Sequence, residues 1–222
     1  MPRTAVSTYR ELIKLPDKCI GPGIEGKQKV GLLVVISGPS GVGKDSILDK
    51  AEEILPDLCR SISVTTRPMR GGEVDGKEYF FRTPAEFEEL KEQHGFLEWA
   101  RYLDYYYGTP RAWVLDKMQE GKIVALEIDV QGAEQIKQQF AEAVLVFVLP
   151  PNEEALRARL KGRNTETEAA LDKRLEAYRK EREHLPQYDY VIVNDVLDNA
   201  VDLFRCIVKA ECAKVKRRFP NG

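Results

Sequence analysis

The apolar positions of the chain fall into two kinds of run. Four are short and continuous: Leu32-Leu33-Val34-Val35-Ile36, Ile123-Val124-Ala125-Leu126, Ala143-Val144-Leu145-Val146-Phe147-Val148 and Tyr190-Val191-Ile192-Val193. The first two read as buried strands, and the other two as further apolar strands. Between them the apolar spacing lengthens to three and four. Ile47, Leu48 and Ala51 mark one helical face, Phe87 and Leu90 a second, and Val201, Phe204, Ile207 and Val208 a third. Strands alternating with helices predict an α/β domain with a mainly parallel sheet flanked by helices. Arg60 to Arg67 alternates and is rich in β-branched residues, so one more strand is expected there.

Capping chemistry sharpens these boundaries. The first helix should stop near Leu55-Pro56. Thr83-Pro84-Ala85-Glu86 combines a hydroxyl cap, a proline at the first helical position and a glutamate at the third, a strong helix start. Thr165 with Glu168 repeats the hydroxyl-to-glutamate spacing inside a charged helical stretch between Asn152 and Pro186. Arg157, Arg159, Lys161, Arg163, Arg174, Arg179 and Arg182 lie there among glutamates. That pattern suits a solvated, salt-bridged helix pair, or a lid that carries a few arginines onto phosphates. The last helix, from about Asp198, ends in Lys214, Lys216, Arg217 and Arg218, which complement its dipole. Pro2, Pro16 and Gly21-Pro22-Gly23 interrupt residues 1–30, which are expected to form a flexible extension.

At 222 residues the chain is long enough for one α/β domain with insertions. Its net charge of −2 supplies no broad basic field for nucleic acid. No apolar run approaches the roughly 20 residues of a membrane helix. The four cysteines show no Cys-x-x-Cys spacing and there are two histidines, so a zinc site is not expected. Glu11, Asp17 and Glu25 do not fit a transit peptide. The expectation is a cytoplasmic protein with reduced thiols. Nothing in the sequence speaks to oligomeric state.

Candidate chemistry begins where the first strand ends. Gly38-Pro39-Ser40-Gly41-Val42-Gly43-Lys44 joins that strand to the first helix, in the order strand, Gly-x-x-x-x-Gly-Lys, helix. This is the P-loop pattern. Its glycines let backbone N–H groups approach a phosphate chain, the helix adds its positive end, and Lys44 adds a charge for the β- and γ-phosphates. Asp45 and Ser46 follow, where a hydroxyl residue usually comes directly after the lysine. Asp45 is either a Mg²⁺ ligand, direct or through water, or an acid favoured by the first helical turn.

Asp129 ends the second buried strand, as the carboxylate of a Walker-B strand does when it holds Mg²⁺ through water. Arg67 and Arg70 beside Gly71-Gly72 are suited to an anion. Tyr105, Tyr106 and Tyr107 suit either a packed β-ribbon or a nucleotide face.

Several of these motifs occur together and in order: Gly38 to Lys44, Ser63-Val64-Thr65-Thr66-Arg67 with Arg70, Gly72 to Phe81, Tyr107-Gly108-Thr109, Ile128-Asp129-Val130-Gln131-Gly132, Gly162 to Thr167, and Val193-Asn194-Asp195. In them the chain closely resembles guanylate kinases from about residue 31 to 213. The resemblance implies a P-loop NTPase fold that transfers phosphate from ATP to GMP with Mg²⁺. It implies a core (31–62, 113–151 and 185–222), a GMP-binding insertion (63–112) and a helical lid (152–184). By motif match, Ser63, Arg67, Arg70, Tyr79 and Tyr107 would hold the GMP phosphate, and Glu98 and Thr109 would read guanine. Asp129 would face GMP and the metal, Asn194 would lie by adenine, and Arg159, Arg163 and Arg174 would approach the ATP phosphates. GMP and dGMP are not distinguished. The alternative from another class is a catalytically inactive guanylate-kinase-like module that binds proteins. Such modules typically have a degraded P-loop, whereas Gly38, Gly43 and Lys44 are present here.

Overall fold

The computed structural model describes residues 31–102, 104–161 and 168–218. The N-terminal extension, Arg163 and the Thr165 cap lie outside these residues, as does the side chain of Lys216. Five parallel strands form the main sheet, in the order β2 (Leu58–Arg60), β7 (Ile123–Glu127), β1 (Leu32–Ser37), β8 (Val144–Leu149), β9 (Tyr190–Val193). The central strand is apolar at nearly every position because both of its faces are covered. Leu32, Val34 and Ile36 point to one side, where they pack with α1 (Lys44–Ile54) and α7 (Leu197–Ala213). Leu33 and Val35 point to the other, into a core shared with α3 (Arg111–Gln119) and α4 (Val130–Gln139).

A second sheet of four strands has the order β4 (Phe80–Phe81), β3 (Val64–Thr65), β6 (Tyr105–Pro110), β5 (Phe96–Tyr102). It has its own small core of Val64, Phe80, Phe87, Leu90 and Phe96 beneath α2 (Pro84–Glu92). The expected cap of α2 is formed: Thr83 Oγ accepts from Glu86 N at 3.3 Å, and Glu86 Oε2 accepts from Thr83 N at 2.7 Å. The helices α5 (Glu153–Lys161) and α6 (Glu168–Arg182) pack through Leu156, Leu160, Leu171, Leu175 and Tyr178. A short α8 (Val215–Arg218) ends the described chain.

One expectation needs correcting. Arg60 to Arg67 is not a single strand. Ser61 N still donates to Ala125 O of the main sheet at 3.0 Å, whereas Ser63 O accepts from Phe80 N of the smaller sheet at 2.9 Å. The chain changes sheets within those residues, and one straight strand cannot ladder with both. Alternation reports a half-buried ribbon but not which sheet buries it.

Gly38 ties the loop after β1 to the sheet. Its φ is +139°, and a Cβ there would overlap the Val148 carbonyl. Gly38→Ala is therefore expected to destabilise the fold by about 2–3 kcal/mol, measurable as a lower urea midpoint with an unchanged m-value.

Candidate active site

The loop from Gly38 to Gly43 turns sharply because three of its residues, Gly38, Gly41 and Gly43, have positive φ. Gly43 is the N-cap of α1 and offers no side chain to the helix. The first-turn N–H groups are thus left for an anion. Lys44 Nζ donates back to the carbonyls of Gly38 at 2.8 Å and Pro39 at 3.2 Å, and lies 3.8 Å from Glu127. Ser46 is exposed, and the side chain of Asp45 is 66% exposed. Arg60 holds this end of α1, donating to Asp45 O at 3.0 Å and Asp49 Oδ1 at 2.6 Å.

Three groups from distant parts of the chain meet this loop. Arg174, on α6, donates to Ser40 Oγ at 3.0 Å. Asn194 is buried after β9 and donates its amide to Val42 O at 2.8 Å. Arg159, on α5, donates to Val42 O at 3.2 Å and to Asn194 O at 2.8 Å. Arg159 and Asn194 therefore brace the back of the loop in this structure, while Arg174 meets its hydroxyl.

The smaller sheet gathers another set. Arg67 forms a two-point pair with Glu73, at 3.0 and 2.7 Å, which holds the Glu73 carboxyl below its usual range. The same guanidinium stacks over Tyr79 and Phe81, with centroids at 5.4 and 5.6 Å. Tyr79 packs edge-on against Tyr107 at 5.9 Å. Burial, aided by the charges of Glu127 and Asp45, pushes the Tyr79 hydroxyl up. Arg70 is exposed, and its backbone N–H donates to Glu73 at 2.7 Å. Ser63 contributes its backbone carbonyl to β4.

Glu98 is only 4% exposed and accepts from Thr109 Oγ at 2.5 Å. Its carboxylate lies where a Cβ of Gly132 would be, so that glycine makes room for it. Burial pushes its pKa up to about 7. Asp129 caps α4 by accepting from Gly132 N at 2.9 Å, and is also raised by burial.

The model of the family described as guanylate kinase matches residues 31–211. A guanylate kinase from Caldanaerobacter subterraneus subsp. tengcongensis is 49% identical over 86% of this chain and 92% of that protein. One from Desulfitobacterium hafniense is 45% identical, covering 86% and 96%. The crystal structure of guanylate kinase from Anaplasma phagocytophilum superposes with a TM-score of 0.74 at 34% identity, over 86% of this chain and 90% of that one. The chain belongs to the guanylate kinase family.

Two further acids of this guanylate kinase family member lie in the field of Lys44: Glu127, which in the sequence leaves the metal shell open together with Asp45, and Glu181, which no pattern marks. Glu127, at the end of β7, is pushed up to about 7 by burial, against the pull of Lys44. Glu181, buried on α6, is raised likewise to about 7, in the fields of Lys44 and Asp129. Glu181 lies seven residues after Arg174, so the two share one helix face. That spacing was visible in the sequence but was masked by the charge density around it.

Glu98, Glu127 and Glu181 hold protons in the folded state up to about pH 7, against an ordinary value of 4.5. The native state then binds more protons than the unfolded chain between those values, so this contribution to stability falls as pH rises through the window. Glu181→Gln is expected to flatten the decline in Tm between pH 5 and pH 8. An unchanged slope would show that Glu181 is not part of it.

Proposed function

We infer that the protein transfers the γ-phosphoryl group of ATP to the phosphate of GMP, giving ADP and GDP. The observations that support this reading are the uncapped P-loop helix and the buried Glu98–Thr109 pair, linked through Asp129, whose charge acts on Glu98 and which itself feels that of Lys44. Guanine presents N1–H and an exocyclic NH₂ side by side. An ionised Glu98 accepts both, while adenine offers no such pair. A site built on such bonds rejects the wrong base by factors on the order of 10⁴.

The nucleophile is an oxygen of the GMP phosphate, largely dianionic at neutral pH because its second pKa is near 6. It attacks the γ-phosphorus of ATP as the bond to the β–γ bridging oxygen breaks. No strong base is required, so catalysis consists of alignment and charge neutralisation. Lys44 and the backbone N–H groups between Ser40 and Ser46, with Gly38 and Pro39 shaping the turn, hold the ATP phosphates. Arg67, Arg70, Ser63, Tyr79 and Tyr107 take the GMP phosphate, for which Arg67 exchanges part of its pairing with Glu73. Arg174, with Arg163 and Arg159, neutralises the transferring group from the lid side. Asn194 supports the adenine end through the Val42 loop.

The fit of Mg²⁺ follows from the donor set. Acids crowd the site around Lys44, and among the described residues no three of them gather closely enough to hold an ion alone. Mg²⁺ keeps several waters and binds through one or two carboxylates plus substrate phosphates. Asp129, through water, and Asp45 would hold it. When bound it supplies charge neutralisation across the β- and γ-phosphates. We assign residues 63–112 as the GMP-binding part and 152–184 as the lid on the core, and a cytoplasmic location suits these substrates.

A coupled ADP-release assay offering GMP, AMP, CMP and UMP is expected to show turnover with GMP alone. Lys44→Ala should reduce kcat by at least about 10²-fold; turnover with another base would remove the guanine role of Glu98 and Thr109. KM for GMP is expected to rise as pH falls below about 7, where Glu98 gains its proton. Glu98→Gln should weaken GMP binding at all pH values and abolish that step; a step retained in the variant would belong to another group.

A further inference from the structure

The strand that carries Glu98 is an edge strand, since among the described residues β5 has a neighbouring strand on one side only. Its pairing with β6 is also irregular where it matters. Phe96 pairs with Pro110, Trp99 pairs with Gly108, and the register shifts between them. Leu97 and Glu98 thus lie in a bulge, where the sheet holds the backbone least.

The open edge is covered by a helix of the core. Gln135 Nε2 donates to Trp99 O at 2.8 Å, and its Oε1 accepts from Trp99 N at 3.3 Å. Gln139 Nε2 donates to Leu97 O at 2.8 Å. Gln131 Nε2 donates to Arg101 O at 3.4 Å and to Asp129 Oδ2 at 3.0 Å. Helix positions 139, 135 and 131 thus meet strand positions 97, 99 and 101 in antiparallel order. The repeat is possible because four helical residues advance about 6.0 Å and two strand residues about 6.7 Å. One amide offers both a donor and an acceptor, which is what a neighbouring strand would offer.

We propose that Gln135, with Gln139, is a positioning residue for base recognition: the two amides grip the backbone on either side of Glu98 and set its carboxylate against the core. This rests on the assignment of Glu98 to guanine made above. The glutamines do not touch the base. They replace the missing strand pairing, and Gly132 on the same helix leaves the space that the carboxylate fills.

The test is steady-state kinetics on the full chain with Gln135→Met, which keeps length and removes both bonds. KM for GMP is expected to rise about tenfold, as fits the loss of two ordinary hydrogen bonds. By contrast, kcat should stay within about threefold, KM for ATP within about twofold, and the preference for GMP over AMP should fall. In a Glu98→Gln background the same substitution should add little, because the group being positioned is already altered. Parallel rises in KM for both nucleotides, or effects of Gln135→Met and Glu98→Gln that simply multiply, would reduce Gln135 to a structural contact and overturn the proposal. Should Gln135→Met not fold, Gln139→Met removes the bond to Leu97 and is expected to show the same split at about threefold; no split there would overturn it equally. A wild-type protein that turned over no GMP would instead overturn the base assignment, and with it this proposal.

Discussion

A helix start with no side-chain cap is the constraint around which this molecule is arranged. Gly43 precedes α1 without a side-chain oxygen to offer, so the first turn has no side-chain cap from its N-terminal residue. Keeping that turn open requires a backbone that cannot relax into a capped turn. Gly38 achieves this by lying against the carbonyl of β8, and Asn194 and Arg159 achieve it by fastening Val42 from behind. The sheet, α5 and the residue after the last strand therefore all converge on one short loop. Its rigidity comes from distant parts of the chain more than from its own sequence.

A second theme is a set of buried acids, three of which lie in the field of Lys44. Glu98, Glu127, Glu181 and Asp129 are all pushed upward by burial. Such groups are unfavourable for folding at neutral pH and are kept where chemistry needs them. Their roles differ with their neighbours. Glu98 faces a hydroxyl, Asp129 caps a helix, Glu127 lies beside Lys44, and Glu181 stands on α6, the helix that also brings Arg174 to the loop.

Much of this was legible in the linear chain, for identifiable reasons. The four apolar runs are strands of the main sheet, but only three are buried: β9 lies at the edge and leaves Val191 and Val193 exposed. The capping box at Thr83 is local chemistry, and it formed as read. What escaped was non-local. Nothing in the alternation from Arg60 to Arg67 says that the chain leaves one sheet and enters another. The pairing of Arg67 with Glu73 was also unread, since proximity along a glycine loop does not state geometry. The glutamines of α4 were visible at a spacing of four, but polar residues at that spacing usually describe a solvated face. Only the strand edge beside them gives the spacing a meaning.

That row of amides behaves like a vernier. The helix and the strand are two rulers whose divisions nearly agree, differing by about 0.7 Å per step. The contacts are short at Leu97 and Trp99, at 2.8 Å, and have stretched to 3.4 Å by Arg101. A longer row would fall out of step, so the clasp has a natural length of about three rungs. It also follows that one residue inserted into either ruler would misplace every rung at once, whereas the same insertion in the loops beyond them would be absorbed. The two elements are therefore bound to change together or not at all.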